Sequence, residues 1–372
     1  MKQRVVLAVT NDLSGDQRIH KVAMSLIKFG YEPVLAGRLL PHSVPVSRSY
    51  DCKRFRIAFR KGPLFYLAYN FRLFLYLLFV KAEVFLANDL DTLPAVFLAG
   101  IIRRKKIVYD SHEYFTEVPE LVNRPGVKKI WEFIEGMIFP KLSFVYTVNN
   151  SIADIYTAKY GVSVGVVRNV PPATRPQPVP GILPGGFTDR PVIIYQGALN
   201  IGRGLEEIIR SMPLMPDFHF LIAGDGDIKD QLVVLVRQLD LDKRIFFTGR
   251  VPFEQLSWYT AQATLGISLE QDYGLNYHYA LPNKLFDYLQ SGIPVIASDL
   301  PEIRQIVENV GFGLIINRFD PEYISQTIVS MISDQESMNT WRKNARKAAP
   351  DFTWESEEKE LVKYFPAILT SS

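Results

Sequence analysis

Short β-rich apolar runs alternate with helical stretches along the whole chain, and this alternation most limits what the chain can fold into. In the first half the spacing predicts strands over 4–10, 32–36, 54–59, 83–87, 106–110, 143–147 and 163–167. Helical patterns fall between them, near 16–29, 64–81, 91–102, 127–138 and 150–159. Apolar runs this short, flanked on both sides by helices, suit parallel strands covered on both faces. The pattern predicts an α/β fold with doubly wound sheets.

A proline-rich break divides the alternation. Residues 170–191 hold seven prolines, a density that excludes helix and central strand. The segment reads as a semi-rigid linker. A second alternating series follows, with strands predicted over 192–196, 218–223, 244–248, 264–268, 294–297 and 313–316. Its helices are predicted near 204–211, 227–239, 253–261, 282–291, 301–308 and 321–333. A chain of 372 residues exceeds one typical domain. The predicted organisation is therefore 1–169, a linker over 170–191, and 192–352, followed by terminal helices over 338–349 and 353–365. Trp341 and Trp354 are placed in those two helices to pack.

Bulk properties exclude several classes. The net charge of +3 does not suggest a nucleic-acid partner. Cys52 is the only cysteine, so neither an internal disulfide nor a thiolate zinc site can form. Met1 to Thr10 run directly into a strand and lack the pattern of a signal peptide. These features predict a cytoplasmic protein.

Residues 64–80 form an apolar run at the lower limit for crossing a bilayer, interrupted by Asn70 and Arg72. A helix packed on the sheet is the first expectation. An aromatic face touching a membrane surface is the second, because Lys53, Arg54, Arg56, Arg60, Lys61 and Arg72 would attract anionic lipid. A further basic cluster runs from Arg103 to Lys106.

Polar motifs recur where predicted strands end, which is where open parallel sheets bind ligands. Asn11 to His20 follow the first strand, and Gly15 would let backbone N–H groups approach an anion. No GxGxxG is present there. Asn88, Asp89 and Asp91 follow one strand; Asp110, His112 and Glu113 follow the next. That cluster has the composition of a metal site but no HxH or HExxH spacing, and no metal is predicted. In the second half, Arg203 lies between Gly202 and Gly204. Its guanidinium can reach a phosphate. Gly224-Asp225-Gly226 and Gly249-Arg250-Val251 follow later strands. Pro282 and Lys284 open a helix whose N-terminus suits a phosphate, with Asp287 close enough to reach a neighbouring hydroxyl. Arg203 and Lys284 could clamp one diphosphate.

In this order the motifs resemble the family 4 retaining glycosyltransferases of the GT-B fold, over nearly the whole chain. The resemblance implies two Rossmann-like domains facing across a cleft. The C-terminal domain would hold a nucleoside-diphosphate sugar and the N-terminal domain the acceptor, with the last helix, 353–368, crossing back. It implies that Gly15 lies near the donor diphosphate and that His112 approaches the transferred sugar. Arg203, followed by Gly204, and Lys284 would bind the diphosphate. Gly249, Arg250 and Val251 would lie near the base, and Asp287 would hold the ribose. On the acceptor side the candidates are Asp16, Arg18, Asn88, Asp89 and Glu113. The chain departs from the family pattern at Tyr279, where the first of two glutamates is expected. Asp287 replaces the second, and Ala198 replaces a frequent arginine.

The implied reaction moves one sugar, with retention, to the hydroxyl of a saccharide or lipid-linked acceptor. Such a step would belong to cell-surface polysaccharide or glycolipid synthesis. Fixed cations would stabilise the leaving diphosphate, so no metal or other cofactor is expected. The enzyme would be cytoplasmic, with peripheral contact at an anionic inner membrane face. Two other readings remain open on the sequence. One is a nucleotide-sugar epimerase of the same fold, using the Asp89, His112 and Glu113 region for acid/base work. The other is a non-catalytic sugar-nucleotide-binding subunit, which the loss at Tyr279 keeps open.

Overall fold

Val5, Val6, Leu7 and Ala8 have no exposed surface, as expected of a central parallel strand covered on both faces. The computed structural model describes residues 3–13, 16–41, 43–122, 124–173 and 178–365. Contacts divide the chain into two units: residues 1–169 together with those from 357 onward, and Val170–Ser356.

The first unit carries a seven-stranded sheet in the order β3-β2-β1-β4-β5-β6-β7. Its strands are β1 (Arg4–Asp12), β2 (Glu32–Arg38), β3 (Asp51–Phe55), β4 (Val84–Asn88), β5 (Lys106–Ser111), β6 (Val145–Thr147) and β7 (Val164–Val166). The second unit carries a six-stranded sheet in the order β10-β9-β8-β11-β12-β13. Its strands are β8 (Val192–Gln196), β9 (His219–Ala223), β10 (Ile245–Gly249), β11 (Leu265–Ser268), β12 (Val295–Ser298) and β13 (Gly313–Ile316). All neighbouring strands pair in parallel. The fold is α/β, with two doubly wound Rossmann-like units as the alternation predicted.

The predicted strands reappear within a residue or two, except β3. The apolar run suggested 54–59, but the strand is Asp51–Phe55. It is an edge strand that pairs Asp51 with Val34 and Phe55 with Arg38, with only Phe55 buried. Backbone hydrogen bonds, not side-chain burial, set its position, and periodicity does not report them.

Helix ends follow the expected chemistry. Asp16 caps Gln17–Lys28 by accepting from Ile19 N at 3.1 Å. Gly161 and Gly292 close Asn150–Tyr160 and Asn283–Ser291 in the left-handed region, at φ of 67° each.

The proline-rich segment packs with the second unit where it is described. Val170 and Phe187 are buried in that unit's core. The Tyr259 hydroxyl accepts from Ile182 N at 3.0 Å and donates to Ile182 O at 3.1 Å. The end of the chain packs with the first unit. Arg168 Nε donates to Glu357 Oε1 at 2.8 Å, Lys28 Nζ pairs with Glu358 at 2.9 Å, and the Phe365 ring meets Tyr31. Trp354 is buried and Trp341 packs on the second core, as their spacing suggested.

Candidate functional site

Each sheet has one place where neighbouring strands are reached by connections leaving in opposite directions, and there a crevice opens at the C-terminal strand ends. In the first sheet this lies between β1 and β4, and in the second between β8 and β11. Charged side chains meet beside these points, at the β4 and β5 ends in the first unit and at the β8 and β11 ends in the second.

In the first unit His112 stands between two carboxylates. Its Nδ1 is 3.4 Å from Asp89 Oδ2 and its Nε2 is 3.2 Å from Asp110 Oδ2. The Nε2 contact is an ion pair off the line of a hydrogen bond. Burial alone would lower the imidazole pKa, but Asp89 and Asp110 outweigh it and raise it to about 9. His112 is thus an imidazolium at neutral pH, a hydrogen-bond donor and not a base.

Asp89 holds this geometry from a strained backbone at φ 60°. Its Oδ1 accepts from His112 N at 2.8 Å, and its N–H donates to Asp110 O at 2.9 Å. Asp110 is fully buried and gripped by Arg18 through Nε at 3.1 Å and Nη2 at 2.7 Å. Burial would raise its pKa, yet Arg18 and His112 pull it down to about 2. Asp91 is pushed up to about 7 by burial and by the charge of Asp89, while Thr10 Oγ1 donates to it at 2.5 Å.

The structure sorts the acceptor-side candidates. Asp89 lies at the crevice. Asn88 is buried there, its Nδ2 donating to Ala8 O at 2.9 Å. Its Oδ1 has no partner among the described residues. Arg18, expected near an acceptor, is instead a buried positioning residue behind His112, with Nη1 donating to Val167 O at 3.0 Å. Asp16 works as the helix cap. Glu113 lies one residue beyond His112, its carbonyl accepting from Ser111 Oγ at 2.8 Å. Gly15 lies outside the described residues.

In the second unit Arg203 and Lys284 do converge, and they converge on Glu270. Lys284 Nζ lies 2.7 Å from Glu270 Oε1, and Arg203 Nη1 lies 3.5 Å from the same oxygen. Ser268 Oγ donates to the other carboxylate oxygen at 2.6 Å. Both cations also rest on aromatic faces, Lys284 on Tyr195 and Arg203 on Tyr277. Burial pushes the Lys284 ammonium down to about 8 against the pull of Glu270. Burial would raise Glu270, but the two cations hold it below the usual carboxylate range. Arg203 Nε is buried without a hydrogen-bond partner among the described residues. The Arg203 side chain is 25% exposed, so its open guanidinium edge is the one an incoming phosphate oxygen can meet.

Glu270 was not found by the sequence reading, which sought its carboxylate at Tyr279. The available signal was a carboxylate two residues past an apolar strand. Only the sheet order showed that this strand borders β8.

Gly204 is required sterically. It has φ 71°, and a Cβ there would lie 2.5 Å from Leu269 Cβ and 2.6 Å from Leu269 O. Asp287 accepts from Gln196 Nε2 at 2.7 Å, so the β8 end holds it in place. Gly249 ends β10 at φ 69°, Arg250 is exposed, and Val251 packs on the core.

Known proteins resemble the chain in sequence and in fold. Residues 184–348 match the family model described as glycosyl transferases group 1. An uncharacterized glycosyltransferase of Methanocaldococcus jannaschii is 25% identical over 183 residues, covering 48% of this chain and 45% of that protein. The chain spans about half the length of the curated relatives it matches. Among solved structures, sucrose-phosphate synthase from Thermosynechococcus elongatus superposes with a TM-score of 0.76 at 18% identity, covering 100% of both chains. The Anabaena HepE protein in complex with UDP-glucose gives 0.71 at 15% identity, covering 97% of this chain and 98% of that one.

Proposed function

We propose that this chain, whose residues 184–348 match the family model described as glycosyl transferases group 1, is a retaining glycosyltransferase using a nucleoside-diphosphate sugar. The observation that carries the reading is the meeting of Arg203 and Lys284 at the switch point of the second sheet, with the Arg203 side chain 25% exposed. Structural neighbours crystallised with UDP and UDP-glucose support a nucleotide-sugar donor.

In this reading the bond from the anomeric carbon to the diphosphate oxygen breaks. A bond from that carbon to an acceptor hydroxyl oxygen forms on the same face. The hydroxyl proton passes to the departing phosphate oxygen. Arg203 and Lys284 stabilise the negative charge that grows on the leaving group. His112, protonated at neutral pH, donates to a sugar oxygen and is not the base. No metal is needed where fixed cations carry this charge. Asp287 is assigned to the ribose, and Gly249 to Val251 to the base. The acceptor is a saccharide or lipid-linked hydroxyl, in cell-surface polysaccharide or glycolipid synthesis at the cytoplasmic membrane face.

A thermal-shift panel of UDP-, GDP- and ADP-sugars tests the donor, since a ligand that binds the native state raises its apparent stability. One sugar nucleotide should raise Tm by several degrees at saturation. Transfer to an acceptor panel should then follow with that donor. Turnover of donor alone to an isomeric sugar nucleotide would favour the epimerase. Binding without transfer over a broad acceptor panel would favour the non-catalytic subunit.

A further inference from the structure

The helix Pro63–Phe79 is apolar apart from Asn70 and Arg72, but only one side is buried. Phe65, Tyr69, Leu73 and Leu77 form the buried stripe at intervals of four. On the opposite face Leu67, Phe71 and Phe79 are 69%, 62% and 80% exposed. A helix buried on one side ordinarily presents polar residues on the other. The helix packs on Leu93–Arg103, which in turn packs on Pro125–Ile138. Both neighbours also leave large apolar side chains in solvent, Ile101 and Ile102 on one, Ile130 and Phe133 on the other. Three adjacent helices with outward apolar side chains exceed the scattered exposure normal for a surface.

The chemistry beside this face identifies its occupant. An open groove of about 480 Å³ is lined by Lys53 and Arg72 together with Leu75, Tyr76 and Phe79 of this helix. Neither Lys53 nor Arg72 has an ion-pair partner among the described residues. Arg56, Arg60 and Lys61 are exposed in the segment that leads from β3 to the helix. Cations fringing an apolar face match an anionic headgroup layer over hydrocarbon. With 17 residues the helix is too short and too interrupted to cross a bilayer, and no helix among the described residues is long and apolar enough to do so.

We propose that this face of the first unit docks on an anionic membrane surface, with a lipid phosphate held between Lys53 and Arg72 and acyl chain laid along Leu75 and Phe79. The inference specifies the membrane contact of the function proposed above, but its test does not depend on sugar transfer.

The test is co-sedimentation with vesicles of phosphatidylcholine alone and of phosphatidylcholine with phosphatidylglycerol. The native chain should bind the anionic vesicles, and less well as salt rises. Lys53→Glu/Arg72→Glu should weaken that binding by about tenfold or more. Leu67→Ser/Phe71→Ser/Phe79→Ser should abolish it. These surface changes should leave the UDP-induced thermal shift intact, which confirms folding and keeps the donor site as a separate readout. Absence of binding to anionic vesicles overturns the proposal, as does binding that ignores both sets of substitutions. So does a dimer of the native chain in light scattering that Phe71→Ser breaks without any vesicle binding, because the face would then meet a second copy. Displacement from the vesicles by inorganic phosphate as effective as by soluble headgroup also overturns it, since the ligand would then be free phosphate.

Discussion

Lys284 Nζ lies 2.7 Å from Glu270 Oε1, and Glu270 has no exposed surface. The cation that the sequence offers to a phosphate is already half of a buried ion pair. Donor binding here means adding phosphate to an existing cluster, with Arg203 as the more open of the two cations.

This pair changes what Lys284→Ala should do. On the sequence alone the variant would lose transfer and keep its fold. In the structure it strips a fully buried carboxylate of its nearest partner, which typically costs about 3–5 kcal/mol. Its Tm should therefore fall along with activity. The double variant Lys284→Met/Glu270→Gln should recover most of the lost Tm without recovering donor affinity. Calorimetric titration with the best sugar nucleotide separates these effects, and native affinity in the double variant would remove Lys284 from the diphosphate site.

Glu270→Gln alone should act in opposite directions on fold and ligand. Buried Lys284 and half-buried Arg203 lose their counter-charge, so the unliganded protein loses stability. Phosphate then meets less repulsion, and affinity for UDP should rise by about fivefold to tenfold. The expected signature is a lower starting Tm with a larger UDP-induced shift. A vanished shift would make Glu270 an organiser of the cations whose charge the ligand needs.

Stability of the first unit should fall as pH rises from about 4 to 9. His112 titrates near 9 in the fold against 6.5 for the free group, so its contribution is complete below 6.5 and is lost as pH rises through 9. Asp91, near 7 against 3.8, adds to the fall over the lower part of the range. Asp110 acts the other way, its contribution being present above 3.8 and lost only as pH drops through about 2. The His112 difference bounds its share at about 3 kcal/mol, less what its 20% side-chain exposure takes away. Urea midpoints at pH 6.5 and 9 give the slope. His112→Gln should flatten it, and an unchanged slope would count against the two-carboxylate setting.

Donor affinity should decline as pH passes about 8, where the buried Lys284 ammonium loses its proton. Bound diphosphate moves the midpoint upward, because it favours the charged amine. A pH series of donor Kd values, compared with Lys284→Arg, checks this, since arginine stays charged throughout. The same decline in the arginine variant would assign it to another group.

Gly204→Ala should cost about 2–4 kcal/mol, from the strained φ and the clash with Leu269. Because Gly204 follows Arg203 directly, the variant should also weaken UDP binding. Normal UDP affinity in a folded Gly204→Ala protein would uncouple the loop's shape from the cation.

Much of this protein was legible as sequence because short-range chemistry fixes it. The apolar runs around Val5–Ala8 and Val192–Gln196 read as buried strands, whereas Asp16, offered by the sequence to an acceptor, caps a helix in the structure. Arg203, Lys284 and His112 stood out because charged residues there border the crevice in which open parallel sheets bind ligands. What sequence spacing could not report was which distant residues would share one oxygen. Only the sheet order brings Glu270 to Lys284 and Arg203, and only it sets Arg18, 92 positions away, against Asp110 to hold His112 as a cation. The exposed face of Pro63–Phe79 belongs to the same class. Its composition is local, but which side meets water is settled by the neighbours that bury the other, because desolvation depends on what packs nearby and not on sequence order.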